Sequence, residues 1–195
     1  MSLSNKNDIL AEDKAAILRL KNGDIGGLES LIIRYQVKAL RAAFLIVHDE
    51  QLAEDIVQDA FIRIYQHIRG FDENRPFEPY LMRSVVNLAI NAIQQRSQTT
   101  QLEGDGDQQH LEYLLSRASS VESQIEYYQL QDEIRSALFK LPPRQRAVII
   151  QRYYLDMSER EMASTLAAAP GTIKWWLHIA RERLRVLLGT DRREE

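Results

Sequence analysis

Residues 141–185 read LPPRQRAVIIQRYYLDMSEREMASTLAAAPGTIKWWLHIARERLR, and their pattern sets the class of the whole chain. Ser158 stands three residues before Glu161. That is the spacing of a capping box, in which hydroxyl and carboxylate each satisfy a backbone amide of the first helical turn. A short helix is therefore expected from 158, with Met162, Ala163 and Leu166 as its buried face. Ala167, Ala168 and Ala169 make a turn, and Pro170 suits the first position of a second helix, where its missing N–H costs nothing. Ala169 stands where an N-cap oxygen is expected, which costs this helix about 1 kcal/mol relative to serine. Ile173, Leu177, Ala180, Leu184 and Leu187 then recur at helical spacing as a buried stripe. Thr172, Trp175, Trp176 and Ile179 fall on an adjacent face, and Lys174, His178, Arg181 and Arg185 on the other side. Two short helices and a tight turn outline a helix-turn-helix, whose second helix lies in the major groove of DNA. On these residues alone, tryptophans packed in a core and cations on a solvated face fit equally well.

Working outward, the rest of the chain also reads helical. Helices are expected over 8–20, closed by Asn22-Gly23, over 26–47, over 50–69 and over 80–95. The third carries Ala53, Val57, Ala60, Phe61, Ile64 and Ile68 at three- and four-residue spacing. The fourth places Leu81, Val85, Leu88 and Ala89 on one face. Residues 72–79 hold two prolines and read as a loop. Strand alternation is absent. From 97 to 120 the stretch SQTTQLEGDGDQQH and its continuation read as a mobile linker, with Leu111 to Leu115 a short helix or an anchor. A helical pattern resumes over 121–139. The expectation is an all-α chain of two small helical domains, 8–96 and 121–189, joined by an acidic flexible linker, 97–120.

Composition bounds the function. The hydrophobic share of 45% is that of a globular chain. Cysteine is absent, which excludes disulfides and thiolate metal sites and fits a reducing cytoplasm. The start, MSLSNKNDILAEDK, is unlike a signal peptide, and no apolar run reaches the length of a membrane span. The net charge of −3 hides an asymmetry. Residues 1–96 hold 12 Lys/Arg against 13 Asp/Glu, residues 97–130 hold 1 against 6, and residues 131–195 hold 12 against 9. A basic C-terminal part thus follows an acidic connector. His48, His67, His110 and His178 are scattered without a metal-ligand spacing, and no phosphate-binding glycine motif is present. Tyr113, Tyr127, Tyr128, Tyr153 and Tyr154 have no adjacent base in the sequence and read as packing residues. No enzyme chemistry, metal or cofactor is expected.

Two sets of motifs, taken together, carry a family resemblance. The first is Leu52-Ala53-Glu54-Asp55-Ile56-Val57-Gln58-Asp59-Ala60-Phe61, Gly70-Phe71-Asp72, Arg75-Pro76-Phe77, Tyr80-Leu81 and Asn87-Leu88-Ala89-Ile90. The second is Leu141-Pro142-Pro143-Arg144-Gln145-Arg146, Tyr153-Tyr154-Leu155-Asp156, Ser158-Glu159, Gly171-Thr172-Ile173-Lys174 and Leu177-His178. In this order and across such a linker, they resemble the bacterial RNA polymerase sigma factors of the extracytoplasmic-function (ECF) type, of the sigma-70 superfamily. The resemblance covers about residues 25–96 and 131–187. It implies an alternative sigma factor that brings core RNA polymerase to promoter DNA, binding it as duplex and as melted single strand. Asp55, Gln58 and Asp59 match the surface that docks on the polymerase. Arg75, Phe77, Tyr80, Arg83, Asn87, Asn91 and Arg96 match the part that melts and holds the −10 element, with stacking rings, base-edge amides and phosphate cations, though packing between helices fits Tyr80 too and fits Phe77 at least as well. Arg144, Thr172, Lys174, Trp175, Trp176, His178 and Arg181 match the reader of the −35 element. Glu103, Asp105, Asp107 and Glu112 match a connector that mimics nucleic acid, though a solvated tether reads the same way. An anti-sigma factor that covers these surfaces is implied as a partner.

The sequence departs from the family pattern at two places. Asn91 replaces an aspartate, and the basic run that follows thins to Gln94-Gln95-Arg96-Ser97. Trp175, Trp176 and Ile179 stand where the recognition helix usually carries serine and arginines. Arginine is the commonest reader of guanine edges, so this helix has lost its usual readout. The apolar residues either touch thymine methyls, bury against the linker or N-terminal domain in a closed state, or bind a protein. A competing reading is a sigma-like decoy that binds an anti-sigma factor without starting transcription. The thinned cations favour it and the docking residues Asp55 and Gln58 oppose it.

Overall fold

A computed structural model of the chain describes residues 3–99 and 124–190, with side chains over 8–96 and 130–189. Four helices come first: α1 (Leu3–Lys21), α2 (Gly26–Val47), α3 (Glu50–His67) with a 3-10 turn at Ile68–Gly70, and α4 (Phe77–Thr99). Then follow α5 (Gln124–Phe139), α6 (Pro143–Ile149) continuing into a π turn at Ile150–Tyr154, α7 (Glu159–Thr165) and α8 (Pro170–Thr190). Among the described residues there is no strand, and the all-α expectation holds. Of the expected linker, residues 97–99 extend α4; the rest, with Glu103, Asp105, Asp107, Glu112 and the Leu111–Leu115 anchor, lies outside the described residues.

Helix α2 is the centre of the N-terminal domain. Ala39, Ala42, Ala43 and Ile46 are fully buried, as are Ala53 and Ala60 on α3 and Ala89 on α4. Methyl-sized side chains at the crossings let three helices approach closely, while Ile64, Leu81, Val85, Val86 and Phe77 fill the spaces between. The stripe expected on α3 is buried along its whole length. Asp49 caps α3, accepting the Leu52 amide at 2.8 Å. Helix α4 begins three residues earlier than its pattern suggests. Pro79 falls at its third position, and a proline in the first helical turn breaks no intrahelical bond.

Helix α1 is held to α2 and to the loop before α4 by charge. Arg34 on α2 pairs with Glu12 and with buried Asp13, which also accepts the Tyr35 hydroxyl at 2.5 Å. Burial, then that bond to Asp13, pushes the Tyr35 phenol well above its usual range. Lys21 pairs with Glu73 at 2.5 Å, and Lys14 donates to Asn74 at 2.8 Å.

In the C-terminal domain the helix-turn-helix forms as its pattern predicts. Ser158 and Glu161 make both halves of the capping box. The turn passes through Ala167 with φ +48°, a left-handed conformation held by a bond from the Ala168 amide to Ala163 O at 3.0 Å. Ile173, Leu177 and Ala180 are buried, with Leu184 and Leu187 packed beside them.

Two substitutions test this packing. A Cβ on Gly27 falls 2.2 Å from the carbonyl oxygen of Ala16, backbone that cannot swing aside. Gly27→Val is expected to cost about 2 kcal/mol or more in urea unfolding. An alanine in the left-handed region is strained by about 1–2 kcal/mol, partly offset by the freedom glycine loses on folding. Ala167→Gly is therefore expected to stabilise by about 0.5–1 kcal/mol; a destabilised variant contradicts the strained turn.

Candidate nucleic-acid interface

On α8 the outward face carries Lys174, Trp175 and His178, with Arg181 and Arg185 further along. The structure thereby divides the expected apolar face. Trp175 is 59% exposed and stands with the polar residues. Trp176, Thr172 and Ile179 are half-buried. Trp176 packs against the core, and its ring holds the guanidinium of Arg144 at 5.6 Å, a cation–π contact. Arg144 lies in the first turn of α6, so this contact ties α6 to α8. Lys174 lies 3.7 Å from Glu159, and the Nε of Arg181 is turned back to donate to Leu177 O at 3.2 Å. Of the three roles open to the apolar residues, burial in a closed state does not apply to Trp175, which faces solvent.

In the N-terminal domain, Phe77 is fully buried. Its ring lies 5.7 Å from Tyr35, 6.0 Å from Phe71 and 6.5 Å from Tyr80. Of the two readings of Phe77, base stacking and packing between helices, its burial fits the second: no face of the ring reaches the surface, and it packs at the start of α4. Tyr80 is half-buried and rests on Phe71 at 4.7 Å. Along α4, Arg83, Asn87 and Asn91 follow at four-residue spacing on one face, from exposed through half-buried to exposed. Arg75 lies in the loop with its side chain 78% exposed, 3.5 Å from Asp72. The bonds that Asp72 accepts from the Asn74 amide and side chain, and more weakly the nearby Arg75 and Lys21, lower its pKa.

Several expected phosphate ligands already have partners in the chain. Arg96 pairs with Asp49 at 2.7 Å, joining the end of α4 to the start of α3. Burial alone raises the Asp49 pKa, but the Leu52 amide and Arg96 outweigh it, and the carboxyl is held below its usual range. Arg83 donates to Ser164 of the C-terminal domain.

The expected docking residues of α3, Asp55, Gln58 and Asp59, are all exposed. Gln58 lines a groove of about 510 Å³ between α2 and α3, with Glu54, Ile32, Val37, Phe61, Ile62 and Tyr65. Asp55 and Asp59 lie beside it. Sequence reasoning missed the apolar part of this groove: Val37, Ile62 and Tyr65 are exposed, and Ile33, 68% exposed, stands on α2 outside its lining. The signal was available, because these residues fall outside the buried stripes of their helices.

A larger cavity, about 1080 Å³, opens between the domains. It is lined by Phe44 and Leu45 of α2, Leu138 of α5, Ile149 and Ile150, and Leu184 and Leu188 of α8, with Arg41, Arg135, Arg181 and Arg185 among them. Among the described residues, no helix is long and apolar enough to cross a membrane.

Residues 31–99 match Sigma-70 region 2, and residues 131–184 match Sigma-70, region 4. The chain is similar to the ECF RNA polymerase sigma factor SigW of Bacillus subtilis, 31% identical over 176 residues, covering 88% of this chain and 94% of that protein. It is similar to the RNA polymerase sigma-H factor of Pseudomonas aeruginosa, 27% identical over 179 residues, covering 89% and 92%. It is also similar to the ECF RNA polymerase sigma-E factor of Escherichia coli, 28% identical over 177 residues, covering 88% and 92%. Among solved structures, CnrH in complex with the cytosolic domain of CnrY superposes with a TM-score of 0.62 at 23% identity, over 92% of this chain and 99% of that one. The sigma factor RpoE from Bartonella quintana, solved with the anti-sigma factor NepR, gives 0.59 at 23% identity, over 84% and 96%. At those identities the structural likeness establishes the fold.

The split between the tryptophans is directly measurable. With Trp176→Phe, the remaining Trp175 should be readily quenched by acrylamide. With Trp175→Phe, the remaining Trp176 should be protected. Equal quenching of the two variants would contradict the placement of α8.

Proposed function

The chain belongs to the ECF group of RNA polymerase sigma factors, and we propose that its two domains divide the work of promoter recognition as follows. Helices α2 and α3 dock on core polymerase through the groove at Gln58, with Asp55 and Asp59 beside it and the exposed Val37, Ile62 and Tyr65 as its apolar part. Helix α4 and the loop before it melt and hold the −10 strand. Arg75, Arg83 and Arg96 meet phosphates, Asn87 and Asn91 meet base edges, and Tyr80 supplies the stacking surface in place of Phe77. Helix α8 reads the −35 element. Lys174, His178, Arg144 and Arg181 meet the backbone and base edges, Thr172 lies at the first turn, and Trp175 meets thymine methyls. Trp176 stands behind Arg144. The protein is a specificity subunit of the cytoplasm and leaves the chemistry to the polymerase.

The observation that carries this reading is a capped helix-turn-helix whose second helix turns Lys174, Trp175 and His178 outward. An anti-sigma factor is the further partner. An apolar segment with acidic flanks suits the interdomain cavity, where arginines stand around a floor of leucine, isoleucine and phenylalanine.

Run-off transcription with purified bacterial core polymerase and a promoter library from the source genome tests the assignment. Specific transcripts with an alignable upstream element are expected. Neither core binding nor transcripts would overturn it and leave the decoy. Gln58→Arg with Asp55→Arg is expected to weaken core binding at least about tenfold while the helical content stays unchanged. Lys174→Ala should reduce the salt slope of promoter binding by about one. The triple change Trp175→Ser, Trp176→Arg, Ile179→Arg should alter the set of promoters used; an unchanged set together with unchanged partner binding makes the patch merely structural.

A further inference from the structure

Helix α8 carries Trp175, Trp176 and Ile179 where arginines and a serine are usual, and the group packed on Trp176 is itself an arginine from another helix. Arg144, in the first turn of α6, is exposed, and its guanidinium carbon lies 5.6 Å from the centre of the Trp176 ring. Trp176 is half-buried and rests on the core, so the ring is a fixed platform for the cation. Seven residues further along the same flank of α8, Arg183 Nη1 donates to the side-chain oxygen of Gln145 at 3.0 Å. These two contacts lay the first turn of α6 against that flank, with Arg144 toward the start of α8 and Gln145 toward its end. Among the described residues Arg144 meets no carboxylate. By contrast, Lys174 on the outward face lies 3.7 Å from Glu159, and Arg181 turns its Nε back to Leu177 O. Cation–π attraction holds a guanidinium near a ring without an oxygen acceptor, so its N–H groups stay available to an anion.

We propose that Arg144 is a phosphate clamp for the −35 duplex: it returns from α6 a cation that α8 has lost, and Trp176 is its positioning residue. This rests on reading α8 as the −35 helix. A helix with its side chains fills a major groove about 12 Å wide. Its outward face, here Lys174, Trp175 and His178, then meets base edges, while groups on its flank stand over the sugar–phosphate wall. Trp176 lies about 100° round from Trp175, and Arg144 lies against it on that flank. A guanidinium in this place faces phosphate oxygens, to which it can donate two N–H groups at once. Since no carboxylate has to be displaced, Arg144 reaches phosphate without breaking an ion pair inside the chain.

The test uses the full chain assembled on bacterial core polymerase and a fluorescein-labelled duplex pool of random sequence. Affinity is followed against salt, and the retained duplexes are sequenced. Arg144→Ala should lower the slope of log affinity against log salt by about one and leave the retained sequences unchanged. Trp176→Leu, which keeps an apolar side chain but no ring, should lower the slope equally, and Trp176→Tyr, which keeps a ring, should not. In the Arg144→Ala background, Trp176→Leu should have no further effect on the slope. A further loss there means that Trp176 acts through the fold of α8, and it overturns the positioning role. Loss of one guanine preference at an unchanged slope makes Arg144 a base reader and overturns the clamp. If Arg144→Ala leaves both slope and sequences unchanged while Lys174→Ala still lowers the slope, the clamp alone has failed. If neither variant lowers it, the −35 reading of α8 has failed, and the clamp with it.

Discussion

Everything in this molecule is arranged around α2, a helix that must be buried on several sides at once. Its answer is alanine: Ala39, Ala42 and Ala43 leave no exposed surface and let α3 and α4 cross it closely. Glycine does the same against α1, where Gly27 lies beside the backbone of Ala16 and Leu20. Small side chains make little hydrophobic contact of their own. Their contribution is geometric, because they bring larger neighbours such as Ile64, Leu81 and Val85 to native packing density. The same helix then offers two further surfaces. Val37 lines the groove shared with α3, and Phe44 and His48 face the C-terminal domain.

A second theme is that cations suited to DNA are satisfied within the chain. Arg96 is on Asp49, Arg83 on Ser164, Arg75 near Asp72 and Lys174 near Glu159. The exposed ion pairs among them contribute little stability. Such pairing lowers the gain from nonspecific contact with DNA. A net charge of −3 on a DNA-binding chain is consistent with this economy of free cations.

The interdomain contact joins these themes. The cavity is lined by both domains, so whatever fills it favours their packed arrangement over a separated one.

The sequence by itself determined the local architecture, because caps, breakers and periodicity are written in neighbouring residues. Ser158 with Glu161, Pro170, Asn22-Gly23 and the stripe from Ala53 to Ile68 each specify an element locally. The family motifs determined the function for the same reason, being short and contiguous. Tertiary structure decided what each functional side chain faces. Phe77 and Tyr80 are both aromatic and three residues apart, yet one is core and the other half-exposed, because Tyr35 and Phe71 close over the first. Trp175 and Trp176 are neighbours, yet a turn of about 100° sends one to solvent and the other under Arg144. Arg83 and Ser164 are 81 residues apart, and nothing in either neighbourhood announces the other. Contacts between distant segments depend on the summed packing of every helix between them, and only the folded chain carries that sum.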